Sequence, residues 1–283
     1  MLNQRGLDKL TKKIILITGV SSGLGKALAE EALQQGWLVV GTVRKEEDST
    51  KFMAFKPGHA FGRLLDVQHT GSMPALVAEI ESSVGPIDVL VNNAGYGLAA
   101  TIEEAPLDQI REQFEINVFG QIGMLQAVLP GMRRRRAGCI LNITSMGGLL
   151  ALPGVGIYNA TKFALEGVTE ALRKEVAEFN IRVIAVEPGM FKTDWIGRSL
   201  RQPPGVIPDY DAQRKLRAEL TLDWNGDVVK AAKAMLNIVD EPNPPGHLLL
   251  GSIANKLVDE KLANLRFDIE RYRALSEGTD LDR

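Results

Sequence analysis

The chain has 283 residues, 45% of them hydrophobic and 24% charged, with a formal net charge of −2. That is ordinary globular composition, long enough to bury a substantial core in one large α/β domain or two small ones. The near-neutral balance gives no reason to expect nucleic acid or an anionic membrane as a partner. The single cysteine, Cys139, excludes an internal disulfide and fits a reducing compartment.

The lead, residues 1–12, lacks the apolar core of a signal peptide, and no later run is long and apolar enough to cross a bilayer. A cytoplasmic protein is expected. From residue 13 onward, apolar strand-like runs alternate with helical patterns. "KKIILITG" is a buried strand ending in a turn, and "LGKALAEEALQQG" is a helix stopped by Gly36. "WLVVGTVR" and "HAFGRLLDV" are the next strands; "SMPALVAEIESSVG" is a helix and "IDVLVNNAG" a strand. Apolar residues recur every three or four positions from Leu107 to Met132, which predicts one long helix. "GCILNITS" is a strand, Tyr158 to Phe179 a helix, "IRVIAVEPG" a strand, and Leu248 to Leu250 a last short strand. The run Arg133 to Arg136 reads as the solvated end of a helix, where cations are favoured. Such alternation predicts an α/β fold with a doubly wound parallel sheet and helices on both faces, as one domain over residues 13–283.

Two segments break the rhythm. Residues 190–210 hold Pro203, Pro204 and Pro208 and are predicted to be a long loop lying over the site as a lid. Residues 254–275 place Val258, Leu262, Leu265, Ile269 and Tyr272 on one stripe of an amphipathic helix. That stripe either packs on its own domain, the favoured expectation, or forms a subunit contact. His59, His69 and His247 are scattered, with no Cys or second His at ligand spacing, so no metal site is expected.

The chemistry-bearing residues are ordered along the chain. The first strand is followed by "TGVSSGLG", containing Gly19, Ser21, Ser22, Gly23, Leu24 and Gly25. Glycines at such a turn let the backbone approach a pyrophosphate, and the next helix offers free N–H groups. Its spacing is not the G-x-G-x-x-G fingerprint, and alone it also fits a purely structural turn. Tyr158 and Lys162 sit four residues apart and share a helix face. A lysine charge beside a phenol favours the phenolate. Ser145 lies thirteen residues before Tyr158.

"TGVSSGLG", "NNAG", "NVFG", Ser145, "YNATK" and "EPG" occur in this order. The set resembles the short-chain dehydrogenase/reductase family, in its single-domain branch with a Tyr-x-x-x-Lys site. The resemblance implies a Rossmann-type fold and hydride transfer between a nicotinamide cofactor and a carbonyl or alcohol. It implies that Tyr158 is the acid/base, Lys162 its charged helper, Ser145 the hydroxyl that orients the carbonyl, and Asn117 part of a proton relay. It also implies that Asp66 and Val67 face the adenine. Asn93, Ala94 and Gly95 lie by the adenosine ribose in this reading, and Pro188, Gly189, Phe191 and Thr193 by the nicotinamide. Phe191 departs from the branched aliphatic usual in the family.

Cofactor choice turns on the end of the second strand. A carboxylate there suits the 2′-hydroxyl of NAD, and an arginine suits a 2′-phosphate. Arg44, with Ser22, therefore predicts NADP(H) over NAD(H). The substrate pocket is expected to involve Ser145, Tyr158, Leu152, Met190 and Trp195, with Leu149, Leu150, Val155, Phe191 and Ile196 adding apolar surface. An apolar carbonyl or secondary alcohol follows. Lys192 and Arg198 fit either an acidic substrate or solvated lid charges. A homodimer or homotetramer is expected, with contacts on the helices that begin at Leu107 and Tyr158. The alternatives are a non-catalytic NADP-binding regulator, which would have lost the tyrosine or lysine, and a reductase of acyl-carrier-protein thioesters.

Overall fold

The computed structural model describes residues 12–191, 195–220 and 226–281. In chain order its first half contains β1 (Ile14–Thr18), α1 (Gly23–Gln34), β2 (Leu38–Val43), α2 (Glu46–Phe55), β3 (Ala60–Leu64), α3 (Met73–Ser83), β4 (Val89–Asn92) and β5 (Gly97–Leu98). Next come α4 (Leu107–Phe114), α5 (Gly120–Arg135), β6 (Gly138–Ile143), α6 (Gly156–Glu175) and β7 (Ile181–Pro188). The remainder contains β8 (Leu200–Arg201), α7 (Asp211–Leu220), α8 (Val228–Asp240), β9 (His247–Leu250) and α9 (Ser252–Glu277).

Among the described residues, seven strands form one parallel sheet in the order β3-β2-β1-β4-β6-β7-β9. The order reverses between β1 and β4, where Ile15, Leu16 and Ile17 register with Val89, Leu90 and Val91. Strands buried on both faces read as continuous apolar runs, and Ile14 to Ile17 are all at or below 5% exposed. One face packs against α1 and α8 through Leu28, Leu33, Met235 and Leu236. The other packs against α3, α5 and α6 through Ile80, Met124, Val128 and Leu172.

Three expectations need correction. The helix predicted from Leu107 to Met132 is divided by a widened turn at Glu115–Phe119, where the hydrogen-bond register opens by one residue. The segment 190–210 is not a plain loop. It contains a helical turn at Trp195–Ser199, and β8 pairs with β5. Its far end is fixed by Glu104, which accepts from Val206 N (2.8 Å), Ile207 N (2.9 Å) and the Arg214 guanidinium. The cover then continues through α7, which the sequence reading left out. Third, the apolar stripe of α9 does not pack on the described residues of its own chain. Only Ala254 and Val258 are buried, against Met146 and Leu150, and Leu262, Leu265, Ile269 and Tyr272 are exposed.

Gly25 marks the tightest approach at the sheet's carboxyl edge. A Cβ there would lie 2.3 Å from both Gly19 O and Asn93 Nδ2. Overpacking of this kind costs about 1–3 kcal/mol. Gly25→Ala is expected to lower stability by about that amount, and urea denaturation of the two proteins checks it.

Candidate active site

The carboxyl ends of β1, β2, β4, β6 and β7 border a cavity of about 550 Å³. This is the position at which open parallel sheets hold ligands, outside the strand ends and at the reversal of strand order.

One wall is built from the first βα turn and the ends of the neighbouring strands. It contains Gly19, Ser21, Ser22, Gly23, Leu24, Arg44, Asp66, Val67, Asn93, Ala94 and Gly95. Gly19 (φ +78°) and Gly23 (φ +58°) adopt backbone conformations that disfavour other residues. The turn is stitched to β4 by groups that no motif had singled out for this role. Thr18 Oγ1 accepts from the N–H groups of Asn93 (2.9 Å) and Ala94 (3.0 Å). The Asn93 amide donates in return to the carbonyls of Thr18 and Gly19, both at 2.9 Å. Gly25 lies behind this wall rather than on it, so its expected cofactor contact becomes a packing role.

The facing wall contains Ser145, Tyr158 and Lys162, with Leu152, Val155, Pro188, Gly189, Met190 and Phe191. Lys162 is 4% exposed. Its Nζ donates to Ile143 O at 2.8 Å and lies 5.7 Å from the centre of the Tyr158 ring. Burial pulls the lysine down to about 8, with the Glu166 charge opposing. Burial raises the Tyr158 phenol, while a hydrogen bond with Ser145 lowers it. The expectation that the lysine charge sets the phenol's ionisation is thus incomplete, because desolvation is the larger influence. Ser145 Oγ also accepts from Gly147 N at 3.0 Å. Asn159, inside "YNATK", holds the intervening loop. Its side chain accepts from Leu152 N and donates to Gly147 O, each at 3.0 Å.

Asn117 does not reach the cavity wall. It is fully buried in the widened turn, accepts from Tyr96 N at 3.0 Å, and donates to Tyr96 O at 2.8 Å and Thr161 Oγ1 at 3.1 Å. Leu150 also departs from expectation, packing under α9 with Met146. Thr193 and Lys192 lie outside the described residues, as do the side chains of Trp195 and Ile196.

The sequence reading missed the substrate-side contribution of α7. Gln213, Leu216 and Arg217 line the cavity, and Arg217 Nη1 donates to Gly154 O at 3.1 Å. Arg198, which the sequence leaves between an acidic-substrate contact and a solvated lid charge, lines the cavity and donates from Nη2 to Ser21 Oγ at 3.3 Å. No sequence signal linked positions 177 residues apart.

Behind the lysine, Glu166, Glu187 and His247 come together. His247 Nδ1 lies 2.6 Å from Glu187 Oε1 and 3.6 Å from Glu166 Oε2. The spacing of the histidines had given no hint of this group. Glu187 is fully buried, and its Oε2 has no hydrogen-bond partner. Desolvation, reinforced by the Glu166 charge, pushes Glu187 up to about 7, against the favourable bond from His247.

The profile of the family described as short chain dehydrogenase matches residues 13–203. A 3-ketodihydrosphingosine reductase from Bacteroides thetaiotaomicron is 38% identical, with 92% of this chain and 96% of the relative aligned. A short-chain dehydrogenase from Streptomyces avermitilis superposes with a TM-score of 0.90 at 36% identity, covering 96% of this chain and 99% of the other. A short chain dehydrogenase from Burkholderia cenocepacia, solved in complex with NADP, gives a TM-score of 0.73 at 25% identity, covering 92% and 97%.

A carboxyl group with a folded pKa above its unfolded value retains its proton longer in the native state. Between the unfolded pKa of ~4.5 and the folded value of about 7, the native state holds the extra proton, so stability falls as pH rises. Glu187→Gln is expected to flatten this fall. Melting temperature measured from pH 4.5 to 7.5 checks it, with wild type losing more than the variant.

Proposed function

This chain belongs to the short-chain dehydrogenase family, oxidoreductases that work with a nicotinamide cofactor, and from that premise we propose an NADPH-preferring enzyme that interconverts an apolar ketone or aldehyde and its alcohol. The observation that carries the reading is the convergence of Ser145, Tyr158 and Lys162 with Arg44 on the walls of one cavity.

The residues fit the cofactor. Gly19 and Gly23 bring bare backbone to the cavity wall at positive φ. A Cβ on Gly19 would sit 3.4 Å from Ala94 Cα, narrowing the cradle. The N-terminus of α1 supplies unpaired N–H groups for a pyrophosphate. Arg44 and Ser22 stand where a 2′-phosphate would be recognised, and guanidinium suits it by charge and fork geometry.

A nicotinamide bound there supplies or accepts the hydride. Tyr158 handles the proton. Burial keeps its phenol protonated near neutrality, ready to donate to the oxygen of a carbonyl being reduced. The Lys162 ammonium beside the ring stabilises the phenolate left behind. Ser145 holds the substrate oxygen in hydrogen-bond reach of the phenol. Asn117 acts through position, since its bond to Thr161 fixes the turn of α6 that carries Tyr158 and Lys162.

Leu152, Val155, Met190 and Leu216 give the substrate side an apolar surface, with Gln213 and Arg217 as its polar groups. An aliphatic ketone with a polar end suits this lining. The name of the Bacteroides relative, a reductase of 3-ketodihydrosphingosine, supports that class. A cytoplasmic setting accords with the buried, unpaired Cys139, whose thiol burial pushes up to about 11. Leu107, Phe119 and Phe163 are exposed on or beside the helices expected to meet in a homodimer or homotetramer.

Tyr158→Phe is expected to retain NADPH binding and to lose about 10²–10⁴-fold in turnover of a ketone panel. Cofactor binding without turnover by wild type on every carbonyl tested would favour the regulator reading. Arg44→Ala is expected to raise the NADPH KM by about 10–100-fold, the equivalent of one charge-assisted hydrogen bond, and to leave the NADH KM unchanged. Equal effects on both cofactors would remove the 2′-phosphate role.

A further inference from the structure

Helix α9 is 26 residues long, about 39 Å at 1.5 Å per residue. Its first turns are fixed by Ala254 and Val258, but every residue from Asp259 to Asp280 is exposed. Four of these residues, Leu262, Leu265, Ile269 and Tyr272, continue from Val258 in steps of four, three, four and three. That is an a/d heptad seam, the narrow stripe by which helices pair, rather than the wider face of a helix lying on its own domain. Exposed apolar residues in this register have no partner among the described residues.

The occupant follows from charge. From Ser252 to Glu277 the helix carries five Lys or Arg residues and five Asp or Glu residues. Zero net charge gives no attraction to an anionic bilayer, and Phe267, exposed on the side of the helix opposite the seam, leaves no single broad apolar face to lie in an interface. The residues flanking the seam change sign along it. Asp259 and Lys261 stand in one heptad, and Arg266 and Asp268 follow in the next. A parallel copy would place Lys261 against Arg266, a repulsion that offsets its one attractive pair, Asp268 with Arg273. An antiparallel copy with Leu262 over Leu265 sets Asp259 beside Arg266 and Lys261 beside Asp268, twice each by symmetry.

We propose that α9 is a self-association element, pairing antiparallel with α9 of a second copy through the Leu262–Leu265–Ile269–Tyr272 seam. This surface is separate from Leu107, Phe119 and Phe163, so it adds an interface whether or not those residues meet.

The test is sedimentation of the full chain with Leu265→Glu/Ile269→Glu introduced together, at positions exposed in the monomer. The mass is expected to fall by half at micromolar concentration, with turnover unchanged. Orientation is read with single-cysteine variants, since Cys139 is buried and unreactive. Asp259→Cys mixed with Arg266→Cys should be joined by a short bifunctional thiol reagent, and Tyr272→Cys should not be joined to itself, since the antiparallel register sets the two copies of that position about 25 Å apart along the helices. A wild-type mass that the double variant does not change would overturn the proposal. So would efficient self-linking of Tyr272→Cys, or binding of wild type to anionic vesicles that the double variant abolishes.

Discussion

The side-chain amide of Asn117 ties three separate parts of the structure together. It spans the Tyr96 backbone with two bonds and reaches Thr161 with a third. Tyr96 ends the segment that leaves β4, Asn117 lies in the widened turn between α4 and α5, and Thr161 precedes Lys162 in α6. A fully buried amide with several bonds fixes geometry sharply, because leaving any of them unmade costs the desolvation of a polar group. The widened turn is the local departure that brings the amide into place. Around this point Lys162 is held on Ile143 O, and Tyr158 is held one helical turn away.

Electrostatics then differentiates the groups so arranged. Burial lowers Lys162 and raises Tyr158, drawing apart two groups whose ordinary values nearly coincide. The same low-dielectric setting raises Glu187 on the far side of the lysine. These residues form one buried charge system rather than a tyrosine–lysine pair with incidental neighbours. Protonation of Glu187 is therefore felt by Glu166, and through Glu166 by the lysine. The half-exposed imidazole of His247 is where this system meets solvent.

Much of this was legible in the sequence because it rests on short-range patterns. Apolar runs ending in turn residues located the strands, and glycine spacing located the first βα turn. The i,i+4 pair placed Tyr158 and Lys162 on one helix face. Contacts with no local signature were hidden. Arg198 reaching Ser21, Glu104 gathering Val206, Ile207 and Arg214, and His247 meeting Glu187 join residues far apart in sequence. The helical period of α9 was plain, but period alone cannot say whether an apolar stripe faces its own core or another surface. The α7 cover was missed because its sequence, "DAQRKLRAEL", is polar enough to resemble solvent-facing chain.

The pairing of β1 with β4 also bears on how the molecule comes into being. Strands β1, β2 and β3 form one wing of the sheet, but the inner edge of β1 has no partner until the chain has been made as far as Val89–Asn92. The site needs still later pieces, from Ser145 through Gly189. On emerging from the ribosome, the first wing must therefore keep an apolar strand edge uncovered while the second is synthesised. Such non-local pairing slows folding and exposes edges to wrong partners. Activity can appear only after the two wings have joined, so its recovery on refolding reports completion of the whole sheet rather than of either half.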